Sequence, residues 1–266
     1  PTLGGVLSHY ASWHWIFLIN IPVGVLGLVL CVRYLPTLKP KEDPGRFDWS
    51  GFMLFSIFMI AVTLALDGMG ELRLSLPVVL VLACSGIASM LLYWLHARKA
   101  SAPLFSPDLF AISNYRIGIL GNLFARLGNG ALPFLTPLLL QVGLGYNPVK
   151  AGLTMLPMTL GAMIAKSLVN RLIKKAGYKR FLVTNTLCMG LAIGAFALIT
   201  NETPYYFILA LFTVMGMVNS MQFTAMNSLT LLDLPDNRAA SGNSLLSAVM
   251  QLAMGMGVAC AASILN

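Results

Sequence analysis

Long apolar runs alternate with short polar connections along the whole chain. A helix that crosses a membrane needs about 20 predominantly apolar residues. Runs of that kind predict membrane spans at residues 15–35, 49–67, 77–96, 117–140, 149–170, 181–200, 205–231 and 243–265. A shorter apolar stretch over residues 1–8 resembles the end of another helix. The strict alternation of transmembrane β-strands is absent from the sequence, so the pattern predicts an all-α integral membrane protein with eight transmembrane helices plus the tail of another.

Basic residues are concentrated in alternate connections between these spans. Arg33 and Lys150 lie at the very ends of their spans and are counted with the adjoining connections. On that count the first, third, fifth and seventh connections carry 13 of the 17 Lys and Arg residues, and the second, fourth and sixth carry two. Short loops rich in Lys and Arg stay on the cytoplasmic side of a membrane. The odd-numbered connections are therefore predicted to be cytoplasmic and the even-numbered ones to face outward. The regular alternation also supports the number of spans, because a missed or an invented span would break it.

The composition agrees with a membrane protein and narrows its chemistry. The 266 residues are 58% hydrophobic and 10% charged, with a mean hydropathy of +0.80, whereas soluble domains are about a quarter charged. Membrane orientation explains the net charge of +8, so no nucleic acid partner is implied. The sequence has no phosphate-binding loop of the ATPase type, and its four Cys and three His are isolated. We therefore expect no nucleotide, no metal and no enzymatic activity.

Two basic residues lie inside predicted spans and away from the span ends, where a charge is costly and is usually functional or paired. Arg126 is ten residues from Arg116, which at about 1.5 Å per residue puts it near the middle of the hydrocarbon core. It is the principal candidate for a polar substrate pathway, with a structural ion pair as the alternative. Lys166 is five residues from Arg171, so its amine could reach the interface. Lys166 is a secondary candidate.

Arg126 belongs to a polar stripe on an otherwise apolar span. Its members follow one another at steps of three to five residues: Asn122, Arg126, Asn129, Pro133, Thr136 and Gln141. Such a face points into a helix bundle or a water-filled cavity. The Gly and Pro residues of the same span either interrupt the helix at a substrate site or permit close helix packing.

Amide side chains in this span and in the last two extend the candidate pathway. The weaker candidates for lining it are Asn122, Asn129, Gln222 and Gln251, and the secondary ones are Asn219 and Asn227. These amides either contact a substrate or hydrogen-bond between helices. None of the nine acidic residues lies deep in a span. A proton-coupled carrier normally needs a titratable group in its pathway, so we expect the proton-binding acid outside this chain.

Several short sequence motifs occur together in an order that is typical of one family of membrane proteins. The chain begins with PTLGG, in which Pro1, Gly4 and Gly5 have the Pro-x-x-Gly-Gly spacing that ends a gating motif. Residues 13–24 read WHWIFLINIPVG, residues 47–51 read FDWSG, and residues 232–237 read LDLPDN. Together these motifs resemble the major facilitator superfamily, in particular its drug:proton antiporters with fourteen helices.

The resemblance implies a layout for the chain. Residues 1–35 would be the end of the N-terminal helix bundle, and residues 36–114 a cytoplasmic loop, an inserted helix pair and a following loop. Residues 115–266 would be an incomplete C-terminal helix bundle. Since the chain begins at Pro1 and not at Met, we expect it to be an internal piece of a longer protein.

One loop departs from the pattern of the family. Residues 172–180, LIKKAGYKR, fit the C-terminal copy of a cytoplasmic family motif, to which Gly177, Lys179 and Arg180 belong. Lys174 stands where the family motif has an acid. The Asp-based contact that the resemblance would imply for gating therefore cannot be assigned to this loop.

The resemblance and the residue pattern together predict a proton-coupled secondary active transporter. It would export small molecules, in the manner of multidrug efflux, across the bacterial inner membrane by alternating access. The proton gradient would supply the energy without a bound cofactor, and the partners would be a small-molecule substrate and the lipid bilayer. Two alternatives stay open. One is an exporter of an anionic metabolite, which the two embedded cations favour, and the other is a membrane subunit without transport.

Overall fold

The computed structural model describes residues 12, 14–35, 47–69 and 74–265. All regular secondary structure in this part of the chain is helical, as predicted. The turns Trp15–Leu18 and Pro107–Ala111 are short, and Leu139–Gly143 is a π-helical turn. The longer elements are α1 (Asn20–Tyr34), α2 (Trp49–Met69), α3 (Leu76–Ala97), α4 (Ser113–Gly130), α5 (Leu132–Leu138), α6 (Pro148–Phe196), α7 (Tyr205–Leu231) and α8 (Asp236–Leu265).

Seven helical segments in the described ranges are long and apolar enough to cross a membrane. Six predicted spans match one segment each, and the spans predicted at 149–170 and 181–200 both fall in α6. At about 1.5 Å per residue, the 49 residues of α6 are too long for a single crossing. Its backbone is non-helical at Gly177, with φ 73° and ψ 158°. Eight spans are predicted and seven segments are observed because α6 contains two of the predicted spans, one on each side of the break at Gly177.

The segment after α4 is interrupted as its Gly and Pro content suggested. The residues predicted as one span at 117–140 are divided among α4, α5 and the π-helical turn. Pro137 lies inside α5, where proline removes one backbone hydrogen bond and crowds the preceding turn. Next, Gly145 adopts φ 64°, a left-handed conformation that glycine tolerates. Asn147 then caps α6 by accepting a hydrogen bond of 2.7 Å from the Lys150 N–H.

The chain forms two compact units. The first comprises residues 1–44 and 136–222, and the second residues 45–135 and 223–266. Helix α7 therefore contributes its first part to one unit and its last part to the other. In the first unit α6 packs on α7, with Gly161 against the Thr213 carbonyl and Gly216 against the Met158 carbonyl.

The second unit combines α2, α3, α4 and α8 with the end of α7. Helices α2 and α3 pack on each other, and α8 packs on both α2 and α4. A buried cluster joins them, made of Phe55, Tyr93, Ala97, Phe105, Leu109, Tyr115, Ile119, Leu245 and Leu246. Three rings of this cluster interlock, since the Phe55 centroid lies 4.8 Å from that of Phe105 and 5.8 Å from that of Tyr93.

Glycine allows α4 and α8 to approach closely. A Cβ added to Gly257 would lie 2.7 Å from the Leu127 carbonyl oxygen and 3.1 Å from the Gly130 Cα. A Cβ added to Gly130 would lie 3.0 Å from the Met254 backbone. Gly255, two residues earlier on α8, has open space around it. Close packing through small residues is a main source of helix association in lipid.

We expect Gly257→Ala to destabilise the protein by about 1–3 kcal/mol, because its methyl group would meet backbone atoms that cannot move aside. Gly255→Ala is the matched control and should be neutral or slightly stabilising. Thermal or denaturant unfolding of the full-length protein in detergent measures the difference. Equal stability of the two variants would contradict the close packing of α4 and α8.

Candidate functional site

The Arg126 guanidinium lies between two other helices of its unit. Its Cζ is 4.1 Å from the ring centroid of Phe223 on α7, a cation–π distance. Its Nη1 is 3.5 Å from the sulfur of Met254 on α8. Three helices therefore meet at this side chain. Its positive charge is in contact with the aromatic face of Phe223 and the thioether of Met254.

No carboxylate neutralises Arg126 within the described ranges. The ion pairs found there join His96 to Asp48 and Arg238 to Asp108. The Nε of Arg126 is buried and makes no hydrogen bond to any described residue. A guanidinium carries five N–H donors, so this side chain keeps hydrogen-bonding capacity that neither Phe223 nor Met254 uses. The arrangement can bind an acceptor-rich or anionic group.

Asn122 lies one turn before Arg126 and is fully buried. Its Nδ2 donates to the Gly118 carbonyl at 3.1 Å and to Thr230 Oγ1 at 3.3 Å. Its Oδ1 is buried without a hydrogen-bond partner in the described part of the chain, and so is Oδ1 of Asn227 on α7. Asn129, one turn after Arg126, is also buried. The three members of the predicted stripe that lie on α4 are therefore buried or half-buried in their unit, whereas Pro133 and Gln141, beyond α4, are exposed.

Glycines set the spacing between α4 and α7 around Asn122. A Cβ added to Gly118 would overlap Thr230, and one added to Gly121 would lie 2.8 Å from the Met226 side chain. Gly128, on the same helix, has open space around it. Gly118 therefore serves close packing and Gly128 does not, while the flexible Met226 side chain opposite Gly121 can move aside.

Gln222 has a different environment in the other unit. It is 1% exposed, its Oε1 accepts from Asn185 Nδ2 at 2.9 Å, and its Nε2 donates to Thr186 Oγ1 at 2.9 Å. Asn185 also donates to the Val218 carbonyl at 2.9 Å. This network joins α6 to α7, and both ends of the Gln222 amide are engaged in it.

The other predicted residues are spread over the chain. Gln251 and Lys166 are exposed, and Asn219 is partly buried. Gly177, Lys179 and Arg180 lie at the exposed break in α6. Pro1, Gly4 and Gly5 lie outside the described residues. The structure thus brings Asn122, Arg126 and Asn129 together on one helix, while Gln222 and Lys166 belong to the other unit.

Two residues that contact the candidate side chains are not predicted from the sequence: Phe223, which contacts Arg126, and Asn185, which bonds to Gln222. Phe223 is one aromatic residue among many apolar ones, and nothing in the local pattern links it to a residue almost a hundred positions away. Asn185 could have been found, because an amide inside an apolar span is costly unless it is paired. Nothing in the local pattern distinguishes Met254 from the other methionines of the last span.

The chain belongs to the major facilitator superfamily, whose family model matches residues 1–258. It is 47% identical, over all 266 residues, to proteins named "Putative multidrug resistance protein MdtD" from Salmonella paratyphi B and Salmonella heidelberg. The match covers 56% of each relative, so the chain spans little more than half their length. Membership in this transporter family, with the membrane-length helices, makes the chain part of a multi-pass membrane protein.

We expect Thr230→Val to cost about 1 kcal/mol of stability, because it removes the acceptor of the Asn122 amide between α4 and α7. Thr213→Val is the matched control. Both hydroxyls donate to the carbonyl four residues earlier, at 2.7 Å from Thr230 and 2.8 Å from Thr213, but no hydrogen bond from another helix to Thr213 is found in the described residues. Unfolding of the two variants of the full-length protein isolates the interhelical bond, and an equal loss in both would argue against it.

Proposed function

We propose that the full-length protein is a secondary transporter that exports small molecules across the bacterial inner membrane by alternating access. Three observations support the proposal: membership in the major facilitator superfamily, relatives whose name refers to multidrug resistance, and the membrane-length helices. The proton gradient supplies the energy. Interrupted helices line substrate sites in many transporters, and the segment from α4 to the π-helical turn has this form.

The environment of Arg126 is the observation that supports a substrate site in this part of the protein. A cation inside a span is expensive, and it is normally retained because it is paired or because it lines a pathway. In the described part of the chain Arg126 has no carboxylate partner, so the ion-pair explanation has no support there. We assign it as the principal polar group of the substrate pathway in this half, with Asn122 and Asn129 beside it.

A proton-coupled transporter also needs a proton-binding group, in addition to its substrate site. The acids in the described helices lie at helix ends or in connections, and Asp67 is close to the end of α2. A carrier that exchanges substrate for protons needs a titratable group that both sides can reach in turn. We place this acid in the part of the longer protein that the present chain does not cover.

A second candidate function is export of an anionic metabolite. The two charges embedded in predicted spans, Arg126 and Lys166, are both cationic. A guanidinium with unused donors recognises carboxylates and phosphates. Polyspecific export of cationic drugs would instead favour an embedded acid. The charge of Arg126 therefore separates the two functions experimentally.

We expect Arg126→Ala in the full-length protein to lower the transport of anions about tenfold to a hundredfold, because a charge-assisted hydrogen bond is worth about 1.5–3 kcal/mol. Arg126→Lys should keep part of the activity. Export of a cationic dye should be little affected. The assay is proton-driven flux of each compound in proteoliposomes.

Arg116→Ala is the matched control, because Arg116 lies on the same helix and is exposed. It should leave both fluxes unchanged. Anion export that persists in Arg126→Ala would exclude the proposed role of Arg126. Absence of any flux in the unmodified protein would favour the subunit without transport.

A further inference from the structure

The carboxylate of Asp48 connects three segments of the second unit. Its Oδ1 accepts the Gly51 N–H at 2.8 Å and lies 2.8 Å from His96 Nε2, and its Oδ2 accepts the Leu104 N–H at 3.1 Å. These partners belong to the first turn of α2, the last turn of α3 and the connection after α3. Only 8% of the Asp48 side chain is exposed. One buried side chain therefore joins both helices of the pair to the connection that follows them.

The connection after α3 is also held to the pair beyond Leu104. The Phe105 N–H donates to the Tyr93 hydroxyl at 2.7 Å, and this hydroxyl donates to the Phe105 carbonyl at 3.0 Å. The Phe105 ring packs against the rings of Phe55 and Tyr93 in the buried cluster. The connection thus returns to pack on α2 and α3.

The same connection is bonded to α8. Ser241 Oγ donates to the Leu104 carbonyl at 2.7 Å, and Arg238 lies 3.6 Å from the Asp108 carboxylate. Beyond it, the Tyr115 hydroxyl at the start of α4 donates to the Gly242 carbonyl at 2.9 Å. The Leu104 N–H therefore donates to the Asp48 carboxylate, and the Leu104 carbonyl accepts from the Ser241 hydroxyl. We call the group of Asp48, His96, Leu104, Phe105 and Ser241 the Asp48 junction.

The hydrogen bonds to Asp48 keep its carboxyl group ionised, which strengthens its contacts with Gly51, His96 and Leu104. Burial by itself raises the pKa of this carboxyl. The hydrogen bonds from Gly51, His96 and Leu104 outweigh burial, so that the net pKa lies below its ordinary value. The carboxylate is therefore ionised at physiological pH, and charge-assisted hydrogen bonds are stronger than neutral ones. Removal of such an acceptor would leave buried N–H groups without partners, which is costly.

We infer that the Asp48 junction fixes the α2–α3 pair to α4 and α8, so that these four helices form one rigid body. The evidence is the continuous chain of hydrogen bonds from Asp48 through Leu104 to Ser241, together with the buried aromatic cluster. In a transporter that works by alternating access, the pair then moves with α4 and α8 and does not slide along them. This inference is independent of the substrate and of the role of Arg126.

The test is a distance measurement by pulsed electron paramagnetic resonance in the full-length protein. One spin label is attached at Leu92→Cys, an exposed position on α3, and the other at the exposed Cys260 on α8. Cys31, Cys84 and Cys188, and any cysteine in the rest of the protein, are replaced by Ser. In proteoliposomes we expect one narrow distance distribution, without a shift when a proton gradient is imposed.

Asp48→Asn should broaden this distribution, because its NH₂ group cannot accept the hydrogen bonds that the carboxylate oxygens accept. Asp67→Asn is the matched control at the other end of α2, since Asp67 makes no hydrogen bond or ion pair to another described residue. It should give the unmodified distribution. Should Asp48→Asn fail to fold, His96→Gln keeps an N–H donor and should stay narrow, whereas His96→Leu should broaden. A broad or gradient-dependent distribution in the unmodified protein, or no broadening in Asp48→Asn or His96→Leu, would overturn the inference.

Discussion

The half-buried guanidinium of Arg126 lies among helices that are long and apolar enough to cross a membrane, and the candidate site is built around it. Placing an Arg at the centre of a membrane helix costs about 2.5–3.5 kcal/mol on insertion scales. The structure offsets part of this cost with the face of Phe223 and the sulfur of Met254. Both groups attract a cation without neutralising it. The charge of Arg126 is therefore held in place and kept available.

The packing around Arg126 depends on the helices approaching closely enough for these weak partners to reach it. Gly118 lets α4 pack against Thr230 of α7, and Gly257 lets α8 pack against the backbone of α4. A larger residue at either position would separate the helices and move Phe223 or Met254 away from the guanidinium. The glycines and the charge are thus two parts of one arrangement. The Asp48 junction adds a polar anchor in the connection that leads to α4 and at the beginning of α8.

Much of the fold could be predicted from the sequence, because in lipid every backbone polar group must be satisfied within a helix or a closed barrel. Apolar run length alone was therefore sufficient to find α1, α2, α3 and α7. The sequence predicts two spans where α6 lies, and Gly177 breaks the helix between them. The break is shorter than the sequence predicts, because the charged residues around Gly177 indicate a loop, whereas only that glycine has a non-helical backbone. Asp48 was seen only as part of a motif, since its partners His96 and Leu104 are about fifty residues away.

The candidate site was only partly predictable, for the same physical reason. A polar residue inside an apolar span is visible in the sequence, so Arg126 and Asn122 could be selected. The groups that determine what such a residue does are apolar or backbone atoms on other helices, and they leave no local signal. Gln222 illustrates the limit, because its amide is engaged by Asn185 and Thr186 of α6, and sequence spacing does not show this.

Chemical labelling tests most directly whether position 126 faces a water-accessible pathway. Arg126→Cys and Phe124→Cys would be made in cysteine-free full-length protein, since Phe124 lies two residues away on α4 with 67% of its surface exposed to the surroundings of the helix. Only an ionised thiol in contact with water reacts quickly with a charged thiosulfonate reagent. We predict rapid labelling of Arg126→Cys and slow labelling of Phe124→Cys, because we expect the exposed, apolar position 124 to contact lipid. Equally slow labelling of both positions would contradict the account, because it would place Arg126 in a sealed structural contact.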